Sequence, residues 1–165
     1  MSSQLLFPKL NELASNFPDS RGSMDILYES SSAVLKRSNS KKGVFRGLHK
    51  QNAPAEQVKI IRIISGRIMD LVADPDDSDE IIWYTELSSV DGWVKIDSNL
   101  AHGFYALEDV VFEYFCDGAY NESLEKVYRV DGIIKEALGL NPFYLSEKDS
   151  KGNPFGKLVK KYIRN

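Results

Sequence analysis

The chain has 165 residues, room for one domain with its own core, and its 42% hydrophobic and 27% charged residues exclude a mainly disordered protein. Its 21 basic and 24 acidic side chains leave a net charge of -3, with no cationic excess to grip a phosphate backbone, so no nucleic-acid partner is expected. Cys116 is the single cysteine and no apolar run reaches membrane-spanning length, which points to a reducing, cytoplasmic setting without secretion or membrane insertion.

In chain order, Leu10, Leu13 and Ala14 suggest one short helical turn. Isoleucine and valine number 23 against 9 alanines, a balance that suits pleated strands better than helices. Gly43 to Gln51 alternates as a strand. Val58 to Ile64 and Ile68 to Ala73 flank Ser65-Gly66 and read as a hairpin, followed by the loop Asp74-Pro75-Asp76-Asp77. Further strand-like runs at Ile81 to Leu87, Gly92 to Ile96, Gly103 to Leu107 and Val110 to Cys116 imply an all-β sandwich or barrel. Ile133 to Leu138 with Gly139 behind it predicts a helical turn with a glycine cap. At the end, Leu158 and Tyr162, and Val159 and Ile163, lie four apart, so Lys157 to Arg164 is expected to dock as a short terminal helix. No repeat or linker divides the chain, which is taken as one domain over residues 1–165.

Two histidines can be weighed individually. Strand alternation puts Phe45, Gly47, His49 and Gln51 on one face and Val44, Arg46, Leu48 and Lys50 on the other. His102 opens a strand in Ala101-His102-Gly103-Phe104. A metal-binding β-barrel needs a His-x-His pair, but position 51 is Gln, and two histidines cannot make a three-histidine site. No metal and no cofactor are expected.

Several segments together resemble one family. Asp19-Ser20-Arg21-Gly22 is similar to its Asp-x-Arg-Gly segment, and Gly43 to Gln51 to its Gly-Val-Leu-Arg-Gly-Leu-His-x-Gln. Gln57-Val58-Lys59, Gly66 to Asp70, Ala101 to Phe104, Tyr114-Phe115-Cys116 with Tyr120 and Asn121, and Leu145 to Asp149 with Pro154-Phe155 follow in order. On these motifs the chain resembles the nucleotide-sugar 3,5-epimerases of the cupin fold, the dTDP-4-dehydrorhamnose 3,5-epimerase family. The resemblance implies a double-stranded β-helix (jelly roll) with a few short helices toward the termini, acting as a homodimer. It further implies epimerisation at C3 and/or C5 of a nucleotide-diphosphate 4-keto-6-deoxyhexose through an enolate. Under it His49 is the base, Asp149 the carboxylate that orients its imidazole, Lys59 the cation at the C4 oxygen and Tyr114 the acid on the opposite face. Tyr120, His102, Gln51 and Lys148 match residues around the sugar, and Arg21 and Arg46 match contacts to the diphosphate.

Departures accompany the match. Met24 and Ile26 stand where the family usually has a phenylalanine and an acid against the nucleobase, and Leu140-Asn141-Pro142 replaces a common Trp-Pro, so a differently shaped nucleotide pocket is expected, with deoxythymidine the first choice of base. Two other functions remain open: a keto-sugar isomerase, opposed by Gln51 in place of a second histidine, and a non-catalytic sugar-nucleotide-binding cupin. Read without the resemblance, Tyr114 is an ordinary strand tyrosine, Lys59 a surface lysine and Asp149 a turn residue.

Overall fold

A computed structural model of the chain describes residues 15–164. The turn expected at Leu10, Leu13 and Ala14 lies outside them. The chain opens with β1 (Ser15–Asp19), β2 (Gly22–Glu29), β3 (Ala33–Ser40), β4 (Phe45–Gln51) and β5 (Val58–Ser65). It continues through β6 (Arg67–Ala73), β7 (Ile81–Ser88), β8 (Val94–Ile96), β9 (Ala101–Ala106), β10 (Val110–Asp117) and β11 (Glu125–Arg129). Helices α1 (Asp131–Leu138) and α2 (Glu147–Ser150) precede β12 (Asn153–Pro154) and β13 (Leu158–Lys161).

These strands form a six-stranded sheet, in the order β1-β2-β3-β10-β5-β8, and a seven-stranded sheet, in the order β12-β11-β4-β9-β6-β7-β13. The expected all-β sandwich is what forms. Alternation along each strand explains how the sheets close. Ile61 and Ile63 of β5 and Phe112 of β10 meet Ile68, Leu87, Phe104 and Ala106 of the seven-stranded sheet in a core between the two. The opposite face of the seven-stranded sheet is buried as well: Phe45, Leu48, Met69, Leu71 and Tyr105 pack with Val130 and with Ile134 of α1. Both faces of β9 are therefore covered, and all six of its residues are buried.

Three expectations are corrected. Ser65-Gly66 is not a hairpin turn, because β5 and β6 belong to different sheets. Gly66 has φ +82, and a Cβ there would meet the Asp109 carbonyl oxygen at 2.3 Å. It makes a corner at which the chain crosses between sheets, so that Ile63 and Ile68 bury in one core from opposite walls. The final segment is a strand, not a helix: β13 pairs in parallel with β7, Leu158 opposite Ile81 through Lys161 opposite Tyr84. A short helix gains little by itself, whereas the open edge of β7 offers a full row of backbone partners. The third correction lies in β4. Between Arg46 and His49 its pairing to β9 shifts register, so Arg46 and His49 share a face instead of opposing one another.

The glycine-capped helix stands, with Gly139 in the left-handed conformation behind Leu138. Among the described residues no helix is long and apolar enough to cross a membrane.

Candidate active site

The register shift in β4 builds the site. Gly47 occupies it with φ +115, and a Cβ there would stand 2.6 Å from the Gly103 Cα and 2.7 Å from the His102 carbonyl oxygen. The extra residue resets the alternation. Phe45 and Leu48 both point to the helix-covered core, and Arg46 and His49 both line a cavity of about 230 Å³ between the sheets. His102 from β9 and Asp149 from α2 complete this wall, while Lys59 from β5 and Tyr114 from β10 form the facing one.

His49 Nε2 lies 2.6 Å from Asp149 Oδ1. Burial alone would push the Asp149 carboxyl up, but the hydrogen bond and charge of His49, with the Gly47 N–H, hold it below the usual carboxylate range. Asp149 is therefore an ionised acceptor, and Nε2 donates to it, which makes Nδ1 the nitrogen that carries the lone pair in the uncharged tautomer. Asp149 is no turn residue: it is 2% exposed, in a helix whose N-cap Ser146 accepts its N–H at 3.0 Å. On the other side of the ring, Nδ1 is 3.9 Å from Glu125 Oε1. Glu125 in turn binds Lys148 and accepts the Tyr120 hydroxyl at 3.1 Å.

Burial drives the Tyr114 phenol far above its ordinary value, so it keeps its proton. Its hydroxyl donates to Met24 Sδ at 3.2 Å. Burial also lowers the Lys59 ammonium from its usual range, and Lys59 Nζ donates to the His49 carbonyl at 3.3 Å. At the cavity's other end, the Arg21 guanidinium is clamped by Asp19 at 2.6 Å. Arg46 donates to Ser40 Oγ at 2.9 Å through Nε, while its buried Nη2 has no partner. Burial and the nearby Arg21 charge both depress the Arg46 pKa. Two guanidiniums that repel one another, one with a buried unpaired N–H, describe a place for an anion with several oxygens.

All ten residues singled out from the sequence meet here. Arg21, Arg46, His49, Lys59, His102, Tyr114, Lys148 and Asp149 line the main cavity, and Gln51 and Tyr120 line a smaller compartment that shares His49, Lys59 and Tyr114 with it. Sequence reasoning missed Asp70, whose Oδ1 is 2.6 Å from His102 Nε2, and Glu125. Asp70 had a signal, since it sits two residues after buried Ile68 on the same strand face. Glu125 had none. Among the described residues, no cluster of three His, Cys, Asp or Glu is placed to hold a metal ion.

Residues 14–157 match the sequence model of dTDP-4-dehydrorhamnose 3,5-epimerase. The chain belongs to the dTDP-4-dehydrorhamnose 3,5-epimerase family. A family member from Streptomyces griseus is 30% identical over 151 residues, spanning 81% of this chain and 75% of its own. The crystal structure of the Sulfolobus tokodaii epimerase superposes with a TM-score of 0.65 at 30% identity, covering 84% of this chain and 85% of that one. A Legionella pneumophila epimerase solved in complex with dTDP-4-keto-L-rhamnose shares the fold at a TM-score of 0.65 and 24% identity, over 86% of this chain and 84% of its own. Within the family pattern Met24 is a departure, and it is the residue that touches the Tyr114 hydroxyl.

Proposed function

We propose that this cavity epimerises C3 and/or C5 of a dTDP-linked 4-keto-6-deoxyhexose through an enolate, with His49 as base and Tyr114 as acid. The observation that carries the reading is the His49–Asp149 pair, 2.6 Å apart, on the wall that faces a half-buried, protonated Tyr114 across one cavity. His49 Nδ1 takes the proton beside the ketone, and the electron pair of that C–H bond moves into the ring as the C4 oxygen becomes an enolate. Asp149 holds the ring in the tautomer that leaves Nδ1 free and stabilises the imidazolium that forms. Lys59 supplies positive charge to the enolate oxygen in a site with little water. Tyr114 then protonates the carbon from the other face. One proton leaves His49 and one returns to Tyr114 from solvent before the next turnover. Arg21 and Arg46 take the diphosphate, and His102, held by Asp70, lines the sugar.

With this reading go a homodimer and a cytoplasmic location. Support for the dimer is the first strand, exposed along its whole length and carrying Phe17 at 56% exposure, which sedimentation tests: a monomer at micromolar concentration removes it. The reaction is tested with dTDP-4-keto-6-deoxyglucose in deuterated water. Label at C3 and C5 means double epimerisation, label at one carbon a single-centre epimerase, and no label refutes the proposal in favour of a binding protein.

A further inference from the structure

The smaller compartment, about 60 Å³, is lined by His49 together with Lys36, Gln51, Lys59 and Glu125 among others. Lys36 comes from β3, where alternation places it on the inward face with Val34, Ser38 and Ser40. Its Nζ is 4.9 Å from the centre of the Tyr120 ring and 5.7 Å from that of Tyr114. Two lysines thus share one small space. After burial, the Lys36 charge is among the influences that press Lys59 toward its neutral form. The Glu125 charge works the other way and favours the Lys59 ammonium, but that one carboxylate also serves Lys148, Tyr120 and His49, so it does not balance two lysines. Cys116 does not do so either, because burial raises its thiol pKa and keeps it protonated. A third donor faces the same space. Gln51 is 5% exposed; its Oε1 accepts the Asn121 N–H at 3.0 Å, which fixes the amide's orientation, and its buried Nε2 has no hydrogen-bond partner. Two like charges and an unsatisfied buried N–H are each unfavourable in the empty site, and one arriving oxyanion relieves all three.

We propose that this compartment is the oxyanion subsite of the reaction, in which Lys36 and Lys59 together hold the enolate oxygen at C4 and Gln51 donates to the adjacent sugar oxygen. The proposal rests on the epimerase reading and makes Lys36 a further catalytic residue. The carbonyl oxygen carries little charge in the bound ketone and a full one in the enolate, so the second lysine acts on the barrier more than on binding.

The test measures solvent deuterium exchange and product formation with dTDP-4-keto-6-deoxyglucose for wild type, Lys36→Met, Lys36→Arg and Gln51→Leu. Methionine keeps the stem's packing against the tyrosines and removes the charge. Lys36→Met is expected to lower kcat for exchange and for epimerisation together, by about 10–100-fold, while KM stays within about threefold. Lys36→Arg should recover most of that loss, and Gln51→Leu should show a smaller fall of the same kind. Exchange by folded Lys36→Met at close to the wild-type rate would overturn the proposal, reducing Lys36 to a packing partner of the tyrosines. A loss confined to KM also overturns it, placing Lys36 on an anion present in the ground state. Should Lys36→Met not fold, Lys36→Asn carries the same comparison. Wild type without any exchange sinks the epimerase reading itself, and this assignment with it, an outcome that the variants do not resemble.

Discussion

His49 stands between two carboxylates that act on different ring nitrogens: buried Asp149 at 2.6 Å from Nε2 and Glu125 at 3.9 Å from Nδ1. Replacing His49 with Asn keeps a polar side chain and removes the lone pair that accepts a carbon-bound proton. Exchange and product formation should both fall by roughly 10²–10⁴-fold. Tyr114→Phe keeps the stack on Phe112, 5.3 Å between ring centres, and loses only the hydroxyl. Exchange should then outlast epimerisation, and equal loss of both would argue against Tyr114 as the acid. Asp149 also makes a pH prediction. Its folded pKa is depressed, so its ionisation stabilises the fold at pH above the unfolded value, about 3.9, and that contribution is lost as pH falls through the folded value. Thermal melts of wild type and Asp149→Asn should therefore differ most near neutrality and converge in acid; a gap that widens below pH 4 would contradict this. At this scale legibility divided by distance along the chain. His49 is visible within its own nonapeptide, but its partner is 100 positions away, and no local period links them. Asp70 and Glu125 were missed for a related reason: a carboxylate takes its role from which strand its neighbour lies on.

The bulge in β4 shows what an element contributes that its residues do not. Gly47→Ala would press a methyl group onto Gly103 and the His102 carbonyl, at a positive φ that alanine resists. The fold should lose at least about 2 kcal/mol, measured by urea denaturation, and any folded fraction should bind dTDP more weakly, because Arg46 and His49 hang on that bulge. Wild-type stability in Gly47→Ala would mean the register shift does not depend on glycine. Strands from residue 58 to 116 were readable because each is a short apolar run bounded by turn residues. Their partners were not, since Ser65-Gly66 has the same look in a hairpin and at a corner between sheets. The final segment misled for a similar reason. Leu158, Val159 and Tyr162 fit a helical stripe, yet only Val159 among Leu158–Lys161 is even partly buried, and the open edge of β7 decided the outcome.

The sandwich is unevenly protected. Strands β9 and β6 sit inside the seven-stranded sheet with cores on both faces, with β4 beside them between β9 and β11, while β1 forms an outer edge of the other sheet and is exposed throughout. The cavity draws from both regions. His102, bonded to Asp70 of β6, stands on doubly covered β9 and His49 on the neighbouring β4, whereas Arg21 lies in the turn between β1 and β2 and Met24 in β2. Opening free energy should then rise from one end of the cavity to the other. In native-state hydrogen exchange, amides of Ala101–Ala106 should open only with global unfolding, and those of Ser15–Asp19 well before it; equal protection of the two would refute the gradient. The proposed base thus rests on a part of the molecule that yields late, and Arg21, one of the two guanidiniums proposed to grip the nucleotide's phosphates, on one of the first. Warming should loosen dTDP while far-ultraviolet circular dichroism still reports intact strands, so that such a catalyst loses hold of its substrate before it loses the ability to transform it.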